Sequence, residues 1–159
     1  MTFCRAPAVL FGGAMAFIKE GRFLVRSRIE DLDESGLATD AERIESESAG
    51  FLRVAEDELL LTYTEGEGEA KVFSQITVRG ETVSIQRRGA SESSMLLEVG
   101  KKQTSVYKVP PYSFDMTVEA KRIRNSMGLK GGCLDLFYLM TVGGQARKVR
   151  LTVDFEPNK

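Results

Sequence analysis

A two-residue rhythm of apolar and polar side chains runs through most of this chain and limits what it can fold into. Near the C-terminus Val149, Leu151, Val153 and Phe155 alternate with Lys148, Arg150, Thr152 and Asp154. Successive residues of an extended strand point to opposite faces, so such a run has one apolar face and one wet face. The same beat runs through Phe23, Val25 and Ile29 with Ser27 interrupting, through Leu59, Leu61 and Tyr63, and through Val72, Ile76 and Val78. It continues in Val83 and Ile85 and in Met95, Leu97 and Val99, then in Phe114, Met116, Val118 and Ala120. Leu134, Leu136, Tyr138, Met140 and Val142 carry it once more. No long stretch has helical spacing.

The breaks carry turn chemistry. Gly80-Glu81, Gly100-Lys101 and Gly143-Gly144 stand where tight hairpins need a positive φ. Strands joined this closely are antiparallel neighbours. Val109-Pro110-Pro111-Tyr112 predicts a longer, stiffer bend, because two prolines remove two ladder donors. Asn125 to Gly131 reads as a loop, the acidic and nonperiodic residues 31–42 as a solvated connection, and 43–54 as a weak strand. The pattern predicts an all-β fold, a single antiparallel meander β-barrel of about 8–10 strands, because closure removes exposed sheet edges. A two-sheet sandwich is the alternative that short-range periodicity does not separate from it.

At 159 residues the chain has the size of one domain, expected over residues 19–159 after an N-terminal extension, residues 1–18. That extension has a short apolar run, loosely like a signal peptide, and offers Met15 as a start alternative to Met1. It is too short to span a bilayer, so no membrane association is expected. Cys4 and Cys133 are far apart and outside any clustered motif, which fits a reducing, cytoplasmic setting. There is no histidine, so the commonest general base and metal ligand is absent. No catalytic constellation, metal set or cofactor motif is legible, and a non-enzymatic protein is expected. Charge is uneven: residues 1–70 sum to −8 and residues 71–159 to +7. A basic outer face on the later strands, able to meet RNA or an acidic protein, is therefore one functional reading.

The other reading starts from Arg87. It continues the apolar face of Val83 and Ile85 and is expected to point inward, where an unpaired ion would cost several kcal/mol. Glu65, in phase with Leu59, Leu61 and Tyr63, is the carboxylate best placed to meet it. Tyr63, Tyr107 and Tyr138 add hydroxyls, and with Phe114 they are expected to face the interior. Arg87 is then either a satisfied internal ion or a fork that clamps an anionic ligand. Barrels of this size can hold one small molecule, apolar or anionic. Asp115 and Glu119 fall on the solvent face and do not form a catalytic pair. Lys121-Arg122-Ile123-Arg124 and Arg147-Lys148-Val149-Arg150 read as solvated strand surface.

Arg87-Arg88-Gly89-Ala90, Met95, Gly100-Lys101, Tyr107 with Pro110, Phe114-Asp115-Met116, and Gly132 with Leu134, Leu136 and Tyr138 occur in this order and spacing. In this the chain resembles the YwiB-like bacterial proteins of unknown function, over roughly residues 22–156. The resemblance implies a calycin-like, lipocalin-like β-barrel in the bacterial cytoplasm, and it brings no activity. The family's Thr-Pro-Tyr-Gly is replaced here by Val109-Pro110-Pro111-Tyr112, which lacks the hydroxyl and the glycine.

Overall fold

The computed structural model describes residues 8–11 and 14–159, with side chains from Ala16 onward. Eleven strands follow one another: β1 (Ala8–Phe11), β2 (Ala14–Leu32), β3 (Ala38–Ala55), β4 (Leu59–Glu65), β5 (Val72–Arg79) and β6 (Thr82–Gly89), then β7 (Ser93–Glu98), β8 (Lys102–Val109), β9 (Tyr112–Asn125), β10 (Gly132–Val142) and β11 (Gln145–Pro157). One 3-10 turn, Gly68–Ala70, links β4 to β5. Among the described residues no helix is long and apolar enough to cross a membrane.

Ten strands form one antiparallel sheet in the order β7-β6-β5-β4-β3-β2-β11-β10-β9-β8, and β1 pairs with β2. Strands that follow one another in the chain are neighbours in the sheet, β7 and β8 excepted, and β2 meets β11 in a ladder from Asp31–Arg147 to Gly21–Pro157. The sheet thus curls into the expected barrel. Its two edge strands, β7 and β8, form no ladder, and the backbone bridge between them is at Glu92–Lys108, with bonds of 2.8 Å each way.

The hairpin turns expected at Gly80 and Gly143 are present, and Gly100 has the expected positive φ although the strands it joins, β7 and β8, form no continuous ladder. Gly80, Gly100 and Gly143 sit between strands at φ 59°, 81° and 56°. Two other expectations are corrected. Pro110 and Pro111 make a tight two-residue turn between β8 and β9, because paired prolines accommodate a reversal that needs no ladder donor. Residues 31–42 are also no loose connection: β2 runs to Leu32 and β3 starts at Ala38, around a turn organised by Asp33. The Asp33 carboxylate accepts hydrogen bonds from the Ser35 amide and hydroxyl and the Leu37 amide, which holds its pKa below the usual carboxylate value. The barrel also begins upstream of residue 19, since residues 14–18 open β2 and 8–11 form β1. Met1 and Cys4 lie outside the described residues.

Burial follows the alternation. Val83 and Ile85 of β6, Leu134 and Leu136 of β10, and Val153 and Leu151 of β11 are all buried. At one end the lumen is filled by rings: Phe23 packs on Tyr63 at 5.4 Å and on Phe155 at 4.9 Å. Gly21 and Gly50, directly opposite each other, make room for them. A Cβ on Gly50 would strike the Thr62 carbonyl and lie 2.9 Å from the Phe23 ring. Toward the other end the inward face turns polar, at Arg87 on β6, Glu65 on β4 and Arg147 on β11. That end is the mouth.

Candidate functional site

The alternation that buries Val83 and Ile85 carries Arg87 inward, one pleat nearer the mouth. There its Nη2 lies 3.5 Å from Glu65 Oε1, with the two side chains 34% and 20% exposed. Glu65 is held from behind: the Ser46 hydroxyl donates to Oε2 at 2.9 Å and the Ser74 hydroxyl to Oε1 at 3.3 Å. Ser74 is itself buried, opposite Arg87 in the β5–β6 ladder. The expected pair is present, therefore, but at a loose distance. The buried Arg87 Nε has no hydrogen-bond partner, so part of the guanidinium fork remains unused.

Beside Arg87 lies a partly open cavity of about 270 Å³. For scale, an engineered apolar cavity of ~150 Å³ holds a benzene molecule. Its wall is mostly apolar, with Ile29, Ile85, Met95, Met116, Met140 and Leu151 among its contributors, and it carries the polar groups of Arg87, Ser93, Tyr107, Tyr138 and Arg147. The only charged lining residues are the two arginines; Glu65 and Asp31, their carboxylate neighbours, are not part of the wall. Arg147 Nε lies 3.0 Å from Asp31 Oδ1, yet it too lacks an aligned hydrogen bond.

Of the six residues expected at a site, Arg87, Tyr107 and Tyr138 line the cavity. Tyr63 and Glu65 stand behind Arg87. Burial first, then the Glu65 charge, pushes the Tyr63 hydroxyl up to about 12, while Arg87 and Ser74 act in the opposite sense. Burial also pushes Tyr138 up to about 12, against the pull of Arg87. Both phenols are neutral donors at ordinary pH. Phe114 is placed differently from its expectation. It is 39% exposed at the β8–β9 hairpin, stacked on Tyr112 at 6.4 Å, and does not line the cavity. Strand phase fixes a face but not a depth, and Phe114 is one pleat too far toward the rim.

Arg147 was missed as an interior residue, although it continues the phase of Val149, Leu151 and Val153 just as Arg87 continues that of Val83 and Ile85. Ser93 and Met140 also join the wall. Asp115 is exposed, and Glu119 is engaged by Lys121 at 2.8 Å, so no carboxylate pair forms there. Cys133 is a free thiol whose pKa is pushed up to about 11 by burial and by Asp154, which makes it a poor nucleophile. Among the described residues no group of acidic, thiol or imidazole side chains could hold a metal.

The architecture is similar to that of the ywiB protein from Bacillus subtilis, with a TM-score of 0.72 at 21% identity over 88% of this chain and 94% of that one. No curated protein matches. The family model described as a domain of unknown function, DUF1934, matches residues 28–153, a span that holds every cavity-lining residue except Ser27. The chain belongs to the DUF1934 family.

Proposed function

We propose that this barrel is a non-enzymatic carrier or sensor that takes one small molecule into its mouth, with an apolar body against the methionines and isoleucines and an anionic end toward Arg87. The observation that carries this reading is the cavity itself, apolar in its walls and cationic in its only charges. Arg87 is not free, since Glu65 stands 3.5 Å away. An arginine has five N–H donors in a fixed fork, however, and an ion pair this loose leaves donors for a ligand carboxylate or phosphate. Two cysteines far apart in the sequence support placing the protein in the cytoplasm. Native mass spectrometry of the protein purified without denaturation tests the reading: a co-purifying mass is the expected result. A ligand-free spectrum, together with no thermal shift on adding medium-chain carboxylates, would remove it.

A second reading has its own observation. Ladder partners place Arg122, Phe137, Arg150, Arg28 and Arg43 in one row across the outside of β9, β10, β11, β2 and β3. Like charges directly opposite in a sheet repel. Asp135 relieves part of this from beside Arg122 and Arg150, and Arg28 pairs with Glu30. Arg43 has no ion-pair partner among the described residues. Such a stripe suits RNA or an acidic protein. Retention on heparin that fades steeply with salt supports this reading, and passage straight through at low salt rejects it.

A further inference from the structure

We infer that the incomplete junction between β7 and β8 is the outer half of the ligand site: it holds the anionic head of a single-chain amphiphile whose tail lies in the cavity. This rests on the cavity reading above. The two strands are joined by a turn of three residues, Val99 to Lys101, and a hairpin that short normally zips into a continuous ladder. Here the backbone bonds are made only within the turn, where Lys101 N–H donates to Glu98 O at 3.0 Å, and at the far end, between Glu92 and Lys108. At the turn, Gly100 N–H donates instead to Ala120 O on β9 at 3.1 Å, which draws the turn away from the hairpin axis. Between these ends the Ser105 hydroxyl reaches the Ser94 carbonyl at 2.5 Å, a side chain standing where a ladder bond would be. The non-local junction of β2 with β11, near the two ends of the chain, is complete, so the wall is parted at a local hairpin and not where distant strands must find each other.

The gap passes through the wall. A cleft of about 380 Å³ is lined from the inner face by Arg87, Ser93 and Ser105 and from the outer face by Arg88, Ser94 and Lys108. Residues of both faces border this one cleft, in keeping with a sheet that is parted there. Arg87 and Ser93 border the interior cavity as well, so the two spaces adjoin at these residues.

The chemistry of the slot differs from that of the lumen. Three cations and three hydroxyls stand against one carboxylate, Glu92 at the pinned end. Neither Arg88 nor Lys108 has an ion-pair partner among the described residues. Arginine forks and an ammonium around hydroxyl donors match a phosphate-sized anion, and the apolar lumen behind Arg87 accepts the chain attached to it.

Calorimetry with three probes, octyl phosphate, octanol and inorganic phosphate, tests this on the full chain and on the Arg88→Gln/Lys108→Gln double variant. Octyl phosphate should bind the parent about tenfold more tightly than octanol, and the double variant should lose that advantage while keeping its octanol affinity. Higher salt should weaken octyl phosphate and leave octanol unchanged, a measurement on the parent that serves if the variant does not fold. If the variant or high salt leaves octyl phosphate untouched, or if inorganic phosphate binds as tightly as octyl phosphate, the slot is not the head site, although octanol binding still supports the cavity. If neither octyl compound binds, the cavity reading fails and this one with it.

Discussion

Glu65 is the residue whose removal separates structure from recognition at the mouth. Its carboxylate accepts from Ser46 and Ser74 and faces Arg87, and Ser74 is buried with the Tyr63 hydroxyl as its other polar neighbour. Glu65→Ala should therefore lower stability by about 1–3 kcal/mol, the usual cost of orphaning a buried polar group. Glu65→Gln, which keeps an acceptor, should lose less. Urea unfolding midpoints of the two variants check this, and equal losses would show that the serines do not depend on the carboxylate. Tyr63 and Tyr138 give a second expectation. Both have folded pKa values near 12 against an ordinary 10, because burial disfavours the phenolate. The folded state thus holds protons that the unfolded state gives up between those values. Stability should be intact below pH 10 and fall as pH rises from there toward 12, with phenolate absorbance appearing together with unfolding. Phenolate signal from these two tyrosines in the folded barrel near pH 10 would contradict their burial. Arg87 and Glu65 were both legible in the sequence because a charge that breaks an apolar phase advertises itself. Arg147 broke its phase in the same way but was hidden by its basic neighbours Lys148 and Arg150.

Among elements, legibility depended on whether a strand has something to bury. β11 was plain in the sequence because one face meets the core along most of its length. The outer arms of β2 and β3 were not: residues 38–45 of β3 are all exposed, so no apolar phase marks them as strand. Those residues also lack a ladder partner on the side away from β2, since β3 meets β4 only from Gly50 to Val54. Asp40, Glu42, Arg43 and Glu45 guard that edge with charge, a common defence against edge-to-edge pairing. The parted hairpin of β7 and β8 was equally hidden. Ser93, Met95 and Leu97 alternate as they would in a closed ladder, and an unmade backbone bond leaves no trace in side-chain order. Hydrogen exchange reads it directly. Amides of β7 and β8 that face each other between Ser93 and Ser105 should exchange far faster than those of the β2–β11 ladder, which lies in the paired wall. Uniform protection around the barrel would mean that the seam is closed in solution.

For the whole molecule, these features divide the barrel into a filled end and an unfilled one. Phe23, Tyr63 and Phe155 pack the first, where Gly21 and Gly50 leave no spare volume. The mouth end keeps about 270 Å³ open beneath two arginines and borders the parted junction of β7 with β8. An unfilled lumen forgoes packing energy, because its lining atoms lack partners on one side. A ligand that supplies those contacts, and an acceptor for the Arg87 Nε, should stabilise the folded chain by mass action. At a concentration of about 100 Kd the gain is ~2.7 kcal/mol. For a domain of this size that corresponds to a rise in Tm of about 5–10 °C. Octyl phosphate should produce such a rise and slow exchange at the β7–β8 amides together, since one molecule spans cavity and slot. A rise in Tm with those amides unchanged would place the whole ligand in the lumen and leave the seam without a role in holding it.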